Sequence, residues 1–392
     1  MLSYISADHV YPVASAPLER GILAVEEDGT IAAVLTAAEA AFEGIENIKH
    51  YEGLLVPGFV NTHCHLELSN LRGKIPRNTG LPKFVEEVIK RRSSDEYAIN
   101  LAMLSADIEM YENGIVAVGD IANQAVSAGI KVGSPLYYHT FLELLGFNPE
   151  TAKLSMERGI EFLKKFDPLK ASIVPHAPYS VSAELFAELK AYGDAEQGLS
   201  SMHNQESLDE NSFFQNKSGA FLNLFKFLGL DIEFFRPSGE TSLQTVLPKM
   251  SRRQKLLLVH NVFTSAQDID FAASIHPNLY WCLCPNANLY IENRLPNVEL
   301  LRDSGQKITL GTDSLASNEV LSIFAEMRTL QQYFDVSITD LLLWGTYNGA
   351  EYLGVTDRYG SFEKGKRPGI NLLDYEEKGG KLILGQKMQR LF

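Results

Sequence analysis

Two histidines separated by one residue lie in the segment NTHCHLELSN, directly after the apolar run Leu54–Val60. Because side chains alternate between the two faces of a strand, His63 and His65 point to one side and Cys64 to the other. Two imidazoles on one face, roughly 6–7 Å apart at the backbone, can bind one metal ion together. The spacing is typical either of a metal site or of polar residues that end a strand.

Further histidines and acidic residues also come directly after apolar runs. They are His176 in VPHAPYS, His203 and Glu206 in MHNQES, His260 in LLLVHN and Asp313 in TLGTDS. Five of the nine histidines of the chain follow such runs, whereas the other four are scattered. Catalytic side chains of barrel enzymes collect where the strands end, so this pattern indicates one shared site.

The chemistry that suits these residue types is metal-assisted hydrolysis, which needs three or four protein ligands and an open position for water. The candidate ligands are His63, His65, His203 and Asp313. Three neutral nitrogens and one carboxylate would bind Zn²⁺, Fe²⁺ or Mn²⁺, and the ion would lower the pKa of a bound water to about 7. Glu206 could transfer protons and His260 could hold the water or polarise the attacked atom. The catalytic candidates are therefore Glu206, His260 and Asp313.

Each of these residues also has an interpretation without chemistry. His176 could end its strand by hydrogen bonding, Asp313 could cap the next helix, and Glu206 could be a first-turn acid of a helix. Cys282 and Cys284 in YWCLCP look like a metal-binding pair. We favour the interpretation that both side chains pack in the core as part of a buried strand, because the sequence has no second pair of thiols to complete a metal site.

The elements that must position these residues alternate between buried strands and amphipathic helices from Pro57 onward. Strands are predicted at 58–65, 114–121, 135–145, 171–176, 199–204, 255–261, 279–285 and 307–313. Helices between them are predicted at 83–92, 151–166, 182–192 and 321–334. We therefore predict an α/β fold, a (β/α)8 TIM barrel in which the carboxyl ends of the strands share one face.

Both ends of the chain show short apolar runs and turns, with a hairpin predicted around Asp28-Gly29. We expect residues 1–56 and 351–392 to form a small composite β-sandwich domain beside a hydrolase barrel at 57–350. The connection 207–250 is overlong and rich in phenylalanine. It is either a lid or binding surface, or a helical elaboration with its own small core.

Composition limits the partners and the compartment. With 392 residues, 45% of them hydrophobic, the chain can bury a large core. A net charge of −14 argues against nucleic acid or an anionic membrane as partner. The three cysteines give no disulfide framework, no apolar run has transmembrane length, and the first residues lack the features of a signal peptide. We expect a cytoplasmic protein that acts on a small-molecule substrate.

The segments VPGFVNTHCHLE, MHNQES, VHN and GTDS, in this order, resemble the amidohydrolase superfamily. The branch they resemble contains deaminases and chlorohydrolases of amino-substituted heterocycles. GSFEKGKRPGINLLD is similar to the segment that follows the barrel in this family, except that residues 367–369 replace its small and acidic residues. The resemblance covers nearly the whole chain and implies the ligand set and the roles of Glu206 and His260 given above. His176 stands where dinuclear members carry a carboxylated lysine, which favours one metal ion, with Zn²⁺ preferred.

The same resemblance nominates substrate contacts. It implies that His176 and Ser180 in PHAPYS and Asn288 in CPNAN help to hold the substrate. Glu67 in HCHLELS is similar to members that deaminate adenine-type nucleosides, including aminodeoxyfutalosine deaminase, although a surface carboxylate is the alternative. The resemblance also implies a homodimer as the expected assembly of this chain.

We predict a metal-dependent hydrolase that acts on C–N bonds other than peptide bonds. Its reaction would be release of ammonia from an amino-substituted heterocycle, a purine nucleoside derivative of the aminodeoxyfutalosine or adenosine type. The same ligands also serve hydrolysis of a cyclic amide or of a carbon–halogen bond, as in chlorotriazines. A catalytically silent metal-binding relative is a further alternative, against which the presence of both Glu206 and His260 argues.

Overall fold

The computed structural model describes residues 2–392. Its strands in chain order are β1 (Ser3–Val10), β2 (Leu18–Glu19), β3 (Ile22–Val25), β4 (Ile31–Leu35), β5 (Lys49–Pro57), β6 (Phe59–Cys64), β7 (Ile115–Ala122), β8 (Tyr137–Leu144), β9 (Lys170–Pro175), β10 (Leu199–Asn204), β11 (Lys255–His260), β12 (Leu279–Leu283), β13 (Ile308–Leu310), β14 (Ile370–Lys378) and β15 (Lys381–Arg390).

The helices in chain order are α1 (Ala37–Phe42), α2 (Leu81–Arg91), α3 (Glu96–Glu112), α4 (Ala128–Gly133), α5 (Ala152–Leu163), α6 (Ala183–Glu196), α7 (Leu208–Asn216), α8 (Phe221–Phe227), α9 (Ser242–Val246), α10 (Ala266–Ile275), α11 (Pro285–Ile291), α12 (Val298–Asp303), α13 (Ile323–Tyr333), α14 (Ile338–Leu342) and α15 (Asn348–Leu353). The four helices predicted from apolar spacing correspond to α2, α5, α6 and α13. Among residues 2–392, no helix combines the length and the apolar character needed to cross a membrane.

Eight parallel strands, β6 to β13, form the barrel as two four-stranded sheets. The two sheets meet at two junctions, one between β9 and β10 and one between β6 and the segment after β13. The backbone N–H of His203 donates to the carbonyl of His176 over 3.0 Å, and Cys64 pairs with Asp313 in a parallel bridge. Every residue of β6, β7, β10 and β12 is buried, as expected for strands that are covered on both faces. The α/β fold and all eight predicted strands are confirmed.

The two chain ends meet in one seven-stranded sheet of order β15-β14-β5-β1-β3-β4, with β2 beside β1. β14 pairs antiparallel with β5, and β3 with β4, so the hairpin predicted around Asp28-Gly29 is confirmed. The strands form a single hydrogen-bonded sheet, and the domain bounds 1–56, 57–350 and 351–392 stay a prediction. Gly58 lies between β5 of this sheet and β6 of the barrel. A side chain does not fit at this position, because a Cβ atom there would lie 2.3 Å from Val116 Cγ1.

The connection 207–250 is helical and contains α7, α8 and α9. Phe213, Phe221 and Phe225 are buried, and the ring of Phe213 stacks on Phe235 with centroids 4.3 Å apart. Phe147, from the loop after β8, packs against the same cluster with a centroid distance of 5.1 Å to Phe225. These contacts support a helical elaboration attached to the main core, while a lid function stays a prediction.

Candidate active site

The predicted metal ligands converge at the carboxyl ends of the barrel strands. Nε2 of His65 lies 3.1 Å from Nε2 of His63 and 3.2 Å from Nε2 of His203. Oδ1 of Asp313 lies 3.6 Å from Nε2 of His63 and 3.4 Å from Nε2 of His65. His63, His203 and Asp313 are buried, so four residues from three separate parts of the sequence share one enclosed cluster.

The spacing of these four atoms fits a divalent metal ion. Ligand bonds of about 2.0–2.1 Å in a tetrahedral site place neighbouring donor atoms about 3.3 Å apart. Lone pairs of imidazole and carboxylate held that close repel one another, and a central cation would relieve the repulsion. Asp313 reaches the cluster in a left-handed conformation with φ +55°, a strained geometry that is common at functional sites. Ser317 donates a hydrogen bond to its other carboxylate oxygen.

Electrostatics prepare His63 and His65 for this role. Burial lowers the pKa of His65 to about 3, and burial also lowers the pKa of His63. Both rings are therefore neutral at pH 7, which is the form that binds metals. Burial alone would lower the pKa of His203, but the neighbouring Glu143 carboxylate outweighs burial and raises it to about 10.

Glu143 is a site residue that the sequence did not reveal. Its Oε1 lies 3.2 Å from Nδ1 of His203, and its Oε2 accepts a hydrogen bond from the side chain of Asn123 over 3.3 Å. The Nδ1 atom of His203 also donates to the carbonyl of His176 over 2.8 Å. These contacts direct Nε2 toward the other ligands. The missed signal was a glutamate at the carboxyl end of the predicted strand 135–145.

Glu206 and His260 lie together beside the cluster. Oε2 of Glu206 is 3.6 Å from Nε2 of His260, and burial raises the pKa of Glu206 well above its usual range. The side-chain amide of Asn288 donates to Nδ1 of His260 over 2.9 Å. Asn288 is completely buried behind the histidine, and its predicted contact with substrate stays a prediction.

A cleft opens above these residues, with α2 as one wall. The cleft is lined by seven polar residues of the strand ends, namely His65, Glu143, His176, His203, Glu206, His260 and Asp313. We call it the active-site cleft. It combines candidate ligands, a candidate proton carrier and an open side for a substrate, which is the arrangement that hydrolysis requires.

A protein-family comparison matches residues 54–388 to the model described as "Amidohydrolase family". The chain belongs to the amidohydrolase family. It is 27% identical over 335 residues to an adenosine deaminase of Helicobacter pylori, covering 83% of this chain and 80% of that protein.

Solved structures share the fold of this amidohydrolase. The crystal structure of Helicobacter pylori aminofutalosine deaminase in complex with methylthio-coformycin superposes with a TM-score of 0.79 at 24% identity, covering 96% of this chain and 93% of that one. An adenosine deaminase of Xanthomonas campestris with bound zinc gives a TM-score of 0.71 at 23% identity, covering 95% and 84%. These likenesses confirm the barrel fold.

Of the remaining predicted substrate contacts, His176 lies at the active-site cleft, whereas Glu67 binds the backbone of the loop after β7. His176 lines the active-site cleft, with its Nδ1 atom 2.7 Å from the hydroxyl of Ser180, and burial lowers its pKa to about 4. Glu67 instead accepts backbone hydrogen bonds from Asn123 over 3.0 Å and from Gln124 over 3.1 Å. Glu67 therefore anchors the loop after β7. Its predicted contact with substrate also stays a prediction.

Proposed function

We propose that this amidohydrolase is a metal-dependent deaminase that releases ammonia from a purine nucleoside derivative. The observation that carries the proposal is the Glu206–His260 pair, held at 3.6 Å beside the convergent ligand cluster in one cleft. The names of its relatives, an adenosine deaminase and an aminofutalosine deaminase, support this substrate class. In the reaction, water adds oxygen to the carbon that bears the amine, and the amine departs as ammonia.

The proposed ligands of one Zn²⁺ are His63, His65, His203 and Asp313, whose donor atoms have the spacing given above. The zinc bound by the Xanthomonas campestris neighbour favours this ion over Fe²⁺ and Mn²⁺. When bound, the ion supplies a Lewis acid that lowers the pKa of water toward neutrality. Glu143 holds the ring of His203 in the orientation that ligation needs.

Glu206 and His260 divide the remaining chemistry. Glu206 accepts one proton from the attacking water and delivers it to the ring nitrogen next to the reacting carbon. It then takes the second proton of that water from the new hydroxyl group and delivers it to the amine, which leaves as ammonia while the carbonyl forms. Because Asn288 donates to Nδ1 of His260, the ring carries its own proton on Nε2. That N–H can hold the attacking oxygen in place. His176, fixed by Ser180, is proposed to contact the substrate, whereas Glu67 and Asn288 would act through the loop after β7 and through His260.

A homodimer is part of the proposal, and α3 offers the surface for it. The side chains of Tyr97, Leu101, Leu104 and Ile108 are 74%, 52%, 46% and 49% exposed, at helical spacing along one face. That face carries no charged residue between 97 and 108 in a chain of net charge −14. Depletion of charge is characteristic of interface cores, and two acidic copies repel each other least through an uncharged face. A cytoplasmic location without nucleic-acid or membrane partners completes the proposal.

The first experiment is ammonia release by protein of known metal content across adenine nucleosides, aminodeoxyfutalosine, guanine, cytosine and triazines. Ammonia from a purine nucleoside at about one metal per chain would support the proposal. Halide release or a ring-opened acid would instead support hydrolysis of a different bond. A fully metallated protein that hydrolyses no member of the panel would contradict the proposal.

A further inference from the structure

A cavity of about 270 Å³ lies between the seven-stranded sheet and the amino-terminal end of the barrel, opposite the active-site cleft. Its barrel side includes Val116 at the start of β7 and Pro135 just before β8, and its sheet side includes Arg390 of β15. We call it the basal cavity. A single water needs roughly 10–15 Å³, so this cavity can hold a ligand of several atoms.

Three arginines from different segments line the basal cavity: Arg358 after α15, Arg367 before β14, and Arg390 at the end of β15. Burial raises the pKa of Tyr359, and the positive charges of all three arginines act against that rise. The three guanidinium groups therefore act on one point of the cavity. Residues 367–369 form the stretch in which the sequence departs from the family pattern, so this departure brings a cation into the cavity.

Aromatic rings hold two of these guanidinium groups. The central carbon of Arg390 lies 3.9 Å from the ring centroid of Tyr111, and that of Arg358 lies 5.0 Å from the ring centroid of Tyr359. Nη1 of Arg390 also donates to the backbone carbonyls of Tyr111 over 3.1 Å and of Ile115 over 3.0 Å. Rings and carbonyls fix a guanidinium without cancelling its charge, which stays available to an anion.

Acidic side chains neutralise this charge only in part. Glu27 and Asp28 line the basal cavity, and both are exposed, so water and salt screen their charges. Within residues 2–392, the one ion pair of the three arginines joins Nη1 of Arg367 to Oδ2 of Asp28 over 3.8 Å, longer than a charge-assisted hydrogen bond of about 2.7–2.9 Å. Three guanidinium groups against two carboxylates leave an excess of positive charge, in a chain of net charge −14.

We propose that the basal cavity binds a phosphate group, either as the free ion or as part of a small phosphate monoester. The oxygens of a phosphate point in several directions and can accept from more than one guanidinium, whereas a carboxylate offers a single edge. The ligand would connect Arg358, which follows the last helix of the barrel, to Arg367 and Arg390 of the sheet side. The inference goes beyond the proposed function, because no residue of the active-site cleft takes part in it.

The test is calorimetric titration of the metal-bound protein with inorganic phosphate, with ribose 5-phosphate and with gluconate, a carboxylate of similar size. We expect both phosphates to bind the wild-type protein, and gluconate to bind about tenfold more weakly or less. Replacing Arg358→Met and Arg367→Met together should weaken binding of both phosphates by about tenfold or more. Both positions are exposed, so the double variant should fold like the wild type.

The matched control is a second double variant, Arg158→Met with Arg328→Met, which removes the same charge outside the basal cavity. Arg158 is exposed on α5, and Arg328 lies over the ring of Phe324, 5.9 Å from its centroid. This variant should keep the affinity of the wild type. Thermal unfolding gives a second readout, because ribose 5-phosphate should raise Tm of the wild type and of the control but not of the Arg358 and Arg367 variant.

The outcomes separate the two sources of the phosphate group. Tighter binding of ribose 5-phosphate than of inorganic phosphate would identify a monoester as the ligand, and equal or weaker binding would identify the free ion. A wild-type protein that binds neither phosphate, or gluconate as tightly as both, would overturn the proposal. Binding that persists undiminished in the Arg358 and Arg367 variant would also overturn it, because the phosphate would then bind elsewhere, such as at the metal.

Discussion

The carboxylate of Glu143 lies 3.2 Å from Nδ1 of His203, on the opposite side of the ring from the Nε2 atom that faces His65. This relationship connects β8 to the proposed ligand His203 on β10. The Nδ1–H of His203 donates to the carbonyl of His176, and the negative charge of a carboxylate this close strengthens the imidazole as a base. We therefore propose that Glu143 supports metal binding, although it is not itself one of the four proposed ligands.

Glu143→Gln should therefore weaken metal binding. The amide keeps the shape of the side chain but removes the negative charge, and loss of such a partner typically costs about 10–100-fold in metal affinity. Competition with a chelator of known affinity measures the change. Glu351→Gln is the control, since Glu351 pairs with Lys307 away from the cleft. Equal affinity of Glu143→Gln and the wild-type protein would contradict the assignment.

The hydrogen bond from Asn288 to His260 predicts a requirement for one tautomer. Asn288→Asp places an acceptor where a donor stands now, so the proton of the ring moves to Nδ1 and leaves Nε2 bare. We expect kcat to fall about tenfold or more, with metal content unchanged. Asn288→Ala removes the donor without placing an acceptor there. Its kcat should therefore lie between those of Asn288→Asp and the wild type. Full activity of Asn288→Asp would show that the tautomer does not matter.

Glu206→Gln isolates the proton-transfer step. The side chain is buried and is not one of the four proposed ligands, so the variant should bind about one metal per chain like the wild type. Its rate of ammonia release should fall by about 10²–10⁴-fold, because the amide can neither take up nor deliver the proton. Metal analysis and the ammonia assay on one preparation check both parts. An active variant would remove Glu206 from the mechanism.

The barrel and the clustering of the candidate ligands were predictable because both depend on local patterns. Each strand is an apolar run, and His63, His203 and Asp313 come at or just after the ends of such runs. A parallel barrel brings strand ends together whatever the details of packing, so alternation within β6 and the order of the runs were sufficient.

The residues behind the cluster were not predictable in the same way. The substrate contact of Asn288 stays a prediction. Its hydrogen bond to His260 was not predictable, because the direction of a side chain on α11 depends on how that helix packs in the folded chain. Glu67 bonds to the loop after β7, a contact between segments 56 residues apart that no local pattern encodes. Sequence patterns predict which residues reach the strand ends, while tertiary packing decides which of them face the cleft.

The uncharged face of α3 predicts a dimer that charge can break. Introducing Leu101→Glu and Leu104→Glu together places two acids on each copy, and across a two-fold axis they face the same acids of the partner. Light scattering coupled to gel filtration should report a dimer for the wild type and a monomer for the double variant. Both positions are exposed in the monomer, so the free energy of unfolding of the monomer should change little.

Leu230→Glu is the control for this surface, because Leu230 is exposed in the insertion 207–250 and not on α3. The control should remain dimeric. A wild-type protein that is monomeric at micromolar concentration, or a double variant that still dimerises, would show that the face of α3 has another role.

His139 predicts how stability depends on pH, away from the ligand cluster. Burial, together with Lys131 and Lys170, lowers the pKa of His139 to about 3 in the folded protein, and its Nε2 lies 3.0 Å from the hydroxyl of Ser172. In the unfolded chain the pKa returns to about 6.5. Between these values the unfolded state binds a proton that the folded state does not. Stability from this residue is therefore complete above about pH 6.5 and is lost as the pH falls toward 3.

His139→Gln keeps a polar side chain beside Ser172 but cannot titrate. Urea unfolding at several pH values between about 4 and 6 should give a free energy of unfolding that rises less steeply with pH in the variant. The difference in slope should reach up to about 1.4 kcal/mol per pH unit, the value for one proton. Other buried histidines contribute equally to both proteins and cancel in this comparison. Parallel slopes would mean that His139 takes up its proton without unfolding, through an opening of the barrel end where it lies.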